Sequence, residues 1–217
     1  MKNRFDLLVF DWDGTLFDSV GWIVDCLKHA SREVGLPEPS DALARSVIGL
    51  SLPQAMHNLF PDLVDEELKA RLVQSYRTHY HTCSSDSLGL FDGVEEMLKE
   101  LKASGFSLAV ATGKARSGLN HALKETGMED FFHTTRCADE TKSKPHPLMV
   151  LEIMSEIGVS NDRTLLIGDS LHDLNLAINA GVASVAVTCG ANSMEELLEL
   201  NPLACLESTA ELIHLLS

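Results

Sequence analysis

Four short apolar runs punctuate the chain without polar alternation: Leu7–Phe10, Ser107–Ala111, Thr164–Ile167 and Ser184–Val187. Such runs predict strands covered on both faces, as in a parallel sheet. After the second, third and fourth come polar or glycine-containing loops and then helical spacing, at Gly118–Thr126, Asp173–Ala180 and Ser193–Leu200. Repeated strand, loop and helix predict an α/β fold, in which ligands gather at the carboxyl ends of the strands.

The interval between the first two runs has a different period. Helical spacing predicts helices over Gly21–Val34, Asp41–Ile48, Leu52–Leu59 and Asp65–His81, punctuated by Gly35-Leu-Pro37, Gly49 and Pro61. The interval is far longer than a strand crossover needs. The predicted architecture is therefore a Rossmann-like three-layer core with a parallel sheet, formed by residues 1–18 and 91–217, plus an inserted all-helical cap domain over residues 19–90.

Composition narrows the partners. With 217 residues the chain can bury about 70% of its unfolded surface without a disulfide or metal staple. The apolar share of 45% and charged share of 23% are those of a globular protein, with no low-complexity run or internal repeat. A formal charge of −15 argues against nucleic acid and anionic membrane surfaces, which would repel it over a Debye length of roughly 8 Å. An anionic substrate would then need local positive charge. Five scattered cysteines without a CxxC pair suit reduced thiols, and the start MKNRFDLLVFDWD reads as neither signal peptide nor membrane span. A cytoplasmic protein, monomeric or homodimeric, is expected.

Three strand ends carry reactive groups. The first is followed by Asp11 and Asp13, the second by Thr112-Gly113-Lys114, and the third by Gly168-Asp169-Ser-Leu-His-Asp173; a fourth element, Lys142-Ser-Lys144-Pro145-His-Pro147, precedes a helix. Singly, each could be a helix cap or a turn. Together they place carboxylates at two strand ends, which is costly unless a cation sits among them. Hard oxygen ligands with an open position suit Mg²⁺, and such a site can bind phosphate.

In that setting Asp11 is a candidate metal ligand and nucleophile, since an ionised carboxylate can form an aspartyl-phosphate. Asp13 could protonate the leaving oxygen and later take a proton from water, which requires a raised pKa and a side chain turned away from the metal. Thr112 offers its hydroxyl, and Gly113 its backbone N–H, to phosphoryl oxygens. Lys144 supplies fixed positive charge beside the stiffening Pro145 and Pro147.

The chain resembles the haloacid dehalogenase-type phosphatases of the branch with a helical cap inserted after the first strand. The four motifs of that family match, in order, at Asp11-Trp-Asp13-Gly-Thr15, Val110-Ala-Thr112, Lys144-Pro145 and Gly168-Asp169-Ser-Leu-His-Asp173. The resemblance implies Asp11 as nucleophile, Asp13 as acid/base with its carbonyl on Mg²⁺, Thr112 and Lys144 as phosphoryl binders, Asp169 as a metal ligand, and Asp173 as a ligand or as the group orienting the metal's water. It implies a small phosphorylated metabolite as substrate. Asp13 favours phosphate-ester hydrolysis over dehalogenase or phosphonatase chemistry, while sugar-phosphate mutases of the β-phosphoglucomutase type share the motif set. Phosphoglycolate phosphatases and small pyrophosphatases have a similar Asp-Gly-Thr-Leu-x-Asp-Ser opening, and the phosphoglycolate-type group is the preferred reading.

Further residues are weaker candidates. Gly14 and Thr15 turn the loop after Asp11, and Asp18 is expected to cap the first inserted helix. Arg45, Gly49-Leu-Ser51, Gln54, Lys114 and Arg116 could touch substrate. Trp12 and Trp22 are expected at the junction of core and cap. His79-Tyr-His81-Thr-Cys83 is not read as a metal site, because positions i and i+2 point to different helix faces. His146 and His172 are read as surface residues. A signalling receiver module also uses a phospho-accepting Asp, a Thr, a Lys and Mg²⁺ on a parallel sheet, but Asp13 and the long insertion favour turnover over storage.

Overall fold

The computed structural model describes residues 4–82 and 88–216. In chain order the elements are β1 (Leu7–Phe10), α1 (Val20–Glu33), α2 (Asp41–Ser46), α3 (Leu52–Leu59), α4 (Glu66–Thr82), α5 (Val94–Ala103), β2 (Ser107–Thr112), α6 (Arg116–Glu125), β3 (Thr134–Cys137), α7 (Leu148–Ile157), β4 (Thr164–Gly168), α8 (Leu171–Ala180), β5 (Ala183–Val187), α9 (Met194–Leu198), β6 (Ala204–Leu206) and α10 (Leu212–Leu216). The predicted helices are present with ends moved by one to a few residues, as fraying ends usually are.

The strands form one parallel sheet in the order β3-β2-β1-β4-β5-β6. Alternate residues of the apolar runs feed two different cores. Leu8, Phe10, Leu108, Val110, Leu165 and Ile167 pack with Leu98, Leu119 and Leu212 of α5, α6 and α10. Leu7, Val9, Ala109, Ala111 and Leu166 pack with Met149, Ile153 and Leu176 of α7 and α8. Helices therefore cover both faces, and the fold is the expected Rossmann-like three-layer arrangement.

Strands β3 and β6 carried no signal in the pattern. Both lie at sheet edges; β3 is Thr-Thr-Arg-Cys, whose Arg136 bonds Glu152 and Glu156 of α7 instead of joining an apolar layer. Helix α5, with Met97, Leu98 and Leu101 buried, was also absent from the sequence reading.

Among the described residues the four elements between β1 and α5 are helical, and they close over their own apolar cluster, including Val24, Leu27, Ala30, Ala44, Val47, Leu59 and Leu72. Two expectations are corrected here. Trp22 stacks on His79 at 5.2 Å within the inserted helices and not at the junction, whereas Trp12, fully buried against Phe17 and Phe132, does sit beside it, since Phe17 pairs with Leu90 across the two ends of the insertion. The N-cap of α1 is Ser19, not Asp18; the Ser19 hydroxyl donates to Asp13 Oδ1 at 2.5 Å and makes no bond to the helix amides.

Candidate active site

Sheet register brings the reactive groups together. Phe10 lies opposite Val110 on one side and Ile167 on the other, so Asp11, Ala111-Thr112 and Gly168-Asp169 leave three adjacent strands at one level. The Asp11 N–H still donates to the Ile167 carbonyl at 2.9 Å, which ties its backbone to the sheet. The site lies where the strand order reverses, between β1 and β4, the usual ligand crevice of an open parallel sheet.

Asp11, Asp169 and Asp173 are all buried, with carboxylate oxygens within 4.8 Å of one another. Lys144 Nζ lies 2.8 Å from Asp11 Oδ1 and donates to Asp173 Oδ1 at 2.6 Å. Asp173 Oδ2 accepts from the Ser170 hydroxyl and amide in a capping box that starts α8. Asp169 accepts from the Thr15 hydroxyl at 2.8 Å and the Ala191 amide at 2.7 Å. Both oxygens of Asp11 are buried and accept no hydrogen bond of good geometry.

The electrostatics follow from burial. Burial pushes the Asp11 carboxyl well up, and neighbouring Asp173 and Asp169 add to the push against the pull of Lys144. Burial, then Asp173, pushes Asp169 up to about 7. Burial works against the Lys144 ammonium, but Asp11 and Asp173 outweigh it and hold this lysine above its ordinary range. A cluster that crowds three buried carboxylates around Lys144 and carries raised carboxyl pKa values fits a hard divalent cation. Asp11, Asp169 and Asp173 are the side chains that would hold it.

Asp13 faces away from that cluster. Its Oδ1 accepts from Ser19 and lies 3.0 Å from Lys114 Nζ, which also donates to Tyr80 Oη of α4 at 2.9 Å. Burial opposes the Lys114 charge, but Asp13 and the two tyrosines outweigh it, and this lysine too is held above the ordinary range. Thr112 is buried at the end of β2. Its Oγ accepts from the Lys114 amide at 3.1 Å, which leaves the hydroxyl proton to donate elsewhere. Gly113 has no room for a side chain: an added Cβ would stand 2.5 Å from the carbonyl oxygens of both Gly49 and Leu50.

Not every candidate reaches the site. Arg116 forks onto Glu140 and Thr135 and so braces the loop after β2 against β3. Gln54 bonds Asn58 along its own helix. Arg45 reaches the Gly190 carbonyl at 3.4 Å and so ties the inserted helices to the loop after β5; the Ser51 amide donates to Ser143 at 2.9 Å, and Gly49, Leu50 and Ser51 do line the cavity beside Asp11. His172 of α8 meets the inserted helices through Ser46. His79 stacks on His29 while His81 meets His121 of α6, so the two face different neighbours; Cys83 lies outside the described residues.

The sequence reading missed Ser19, Tyr80, Ser170, Ala191 and Gly190. Gly190 was detectable only in space, because a Cβ there would stand 2.0 Å from Asp169 Oδ2.

Residues 8–187 match the haloacid dehalogenase-like hydrolase family. The chain belongs to that family. Among its relatives, a phosphoglycolate phosphatase of Vibrio vulnificus (strain CMCP6) is 31% identical over 98% of this chain and 96% of its own length. The pyrophosphatase PpaX of Halalkalibacterium halodurans is 28% identical over 98% and 97%. The crystal structure of a hydrolase from Pseudomonas syringae matches with a TM-score of 0.84 and 25% identity, covering 96% of this chain and 97% of that one. The family assignment, the fold and the phosphatase class expected from the motifs therefore hold. Haloacid dehalogenase-like phosphatases use a metal ion, and the buried acidic cluster of this one is suited to it.

Proposed function

We propose that the chain is a Mg²⁺-dependent phosphatase that hydrolyses a small-molecule phosphomonoester through a phosphorylated aspartate, in the manner of the phosphoglycolate phosphatase-like branch. The observation that carries this reading is the buried group of Asp11, Asp169 and Asp173 carboxylates, with Asp11 Oδ1 held 2.8 Å from Lys144 Nζ. Asp11, the Asp13 carbonyl, Asp169 and Asp173 would hold Mg²⁺, which when bound offsets the charge of the carboxylates and of the incoming phosphoryl group.

Asp11 attacks phosphorus with one oxygen, forming the acyl-phosphate bond as the bond to the leaving oxygen breaks. Asp13 gives that oxygen its proton. In the second half Asp13 takes a proton from water, whose oxygen attacks the same phosphorus and frees Asp11 and inorganic phosphate. Thr112, the Gly113 amide and Lys144 bind the phosphoryl oxygens, and loss of one such donor costs ~3 kcal/mol in the transition state.

Residues 1–18 and 91–217 serve as the catalytic core and residues 19–90 as the cap that covers it. The reading includes a cytoplasmic location and a monomer or homodimer, with neither nucleic acid nor membrane as partner. Among the described residues no helix is long and apolar enough to cross a membrane.

A Mg²⁺-dependent screen against phosphoglycolate, sugar phosphates, nucleotides, pyrophosphate and an aryl phosphate tests the proposal. Turnover is expected for the wild type, with a loss of at least about a thousandfold in Asp11→Asn. Wild-type turnover by the Asn variant would rule out the covalent route. Phosphate retained stoichiometrically on the chain would point to a receiver, and interconversion of a sugar phosphate primed by its bisphosphate would point to a mutase.

A further inference from the structure

A cavity of about 490 Å³ runs from Asp11 and Asp13 into the inserted helices. That volume falls in the range of small-molecule sites, roughly 300–1,000 Å³. Its walls include Ile23 and Leu27 of α1, Val47 and Ile48 after α2, Leu52 of α3 and Tyr76 of α4. The part of the cavity that would receive the alcohol side of a phosphoester is thus lined by aliphatic and aromatic groups.

The charges around it are unsuited to a second anion. Asp11, Asp13 and Asp139 present three carboxylates, against Lys114 and Arg77 as fixed cations. Lys114 is already engaged by Asp13 at 3.0 Å and Tyr80 at 2.9 Å. Arg77 is exposed at the mouth, where its charge is screened. His81 is kept below the usual histidine range by burial and then by His121 and Lys114. A carboxylate or second phosphate carried into this space would meet three carboxylates, a lysine already shared by Asp13 and Tyr80, and a solvent-exposed arginine, whereas an apolar body matches the aliphatic and aromatic walls.

We infer that the substrate is a phosphomonoester of an uncharged, predominantly apolar alcohol larger than glycolate, its body held between α1, the turn joining α2 to α3, and α4. This inference rests on the phosphatase reading and specifies its leaving group.

The test compares four alkyl esters, so that leaving-group chemistry is similar: hexyl phosphate, benzyl phosphate, phosphoglycolate and glucose 6-phosphate. The expected result is a kcat/KM at least about tenfold higher for hexyl and benzyl phosphate, since even one methylene in an apolar pocket is worth roughly tenfold or more. Leu52→Lys places a free cation in the wall. It should raise kcat/KM for phosphoglycolate and lower that for hexyl phosphate, a gain that misfolding cannot produce. A wild-type preference for phosphoglycolate or glucose 6-phosphate would overturn the inference and leave the phosphatase reading standing, and an unchanged preference in Leu52→Lys would also overturn it. Failure to hydrolyse any ester, whatever the variant, would overturn both.

Discussion

Asp11 is buried with Lys144 as its charged partner at 2.8 Å, and three carboxylates crowded around that one lysine cost on the order of several kcal/mol unless something more meets them. The neighbouring Asp169 converts the same crowding into a pH dependence. Folded without a divalent cation, its carboxyl is pushed up to about 7, whereas in the unfolded chain it titrates near 4. Between those values the native state holds a proton that the unfolded state has lost. The contribution is therefore present below about pH 4 and lost as pH rises through about 7. Stability of the metal-free protein should fall from pH 5 to pH 8 relative to Asp169→Asn, by on the order of a few kcal/mol. Added Mg²⁺ should raise the melting temperature more at pH 8 than at pH 5. Thermal melts with Mg²⁺ or chelator at both pH values measure this; equal stabilisation at the two would contradict it. Asp11, Asp13, Thr112, Asp169 and Asp173 were legible because each follows an apolar run at a short offset, and Lys144 because it stands beside prolines ahead of a helix. Their supports, such as Thr15 on Asp169 and Tyr80 on Lys114, were not, since those contacts join distant parts of the chain.

At the scale of elements, the strands that could be read were the ones buried on both faces. β1, β2, β4 and β5 are apolar throughout or nearly so, while β3 and β6 border the sheet and need only part of that pattern. Loops are tuned more finely. The loop after β2 and the turn after α2 meet so closely at Gly113 that one methyl group would collide with two backbone carbonyls. Gly113→Ala should push that turn away from the site and lower kcat/KM by roughly a hundredfold, the cost of a misplacement near 1 Å. Most of the loss is expected in KM, with the melting temperature little changed, because the sheet core is untouched. Steady-state kinetics beside thermal melts check this, and an unaltered KM would show that the turn does not shape the substrate cavity.

The whole molecule has an apolar cluster for the inserted helices and others flanking the sheet. Leu72 is fully buried in the first of these, where Val73, Tyr76 and Tyr80 of α4 are only partly buried. Leu72→Ala should cost about 2–5 kcal/mol. If residues 19–90 are a separate domain, hydrogen exchange should quicken in α1 and α4 while amides of β1, β2 and β4 keep their protection; uniform loss across the sheet would argue for one cooperative unit.

The sequence by itself determined the parallel α/β class, the run of helices between the first two strands and which carboxylates follow the strand ends, because period and spacing are local properties. Only the tertiary structure decided how those groups meet: the register that levels three strand ends, the lysines that bind particular carboxylates, and the largely apolar cavity beside them. These depend on atoms far apart in the chain and packed within a few ångströms, and no local pattern encodes that distance.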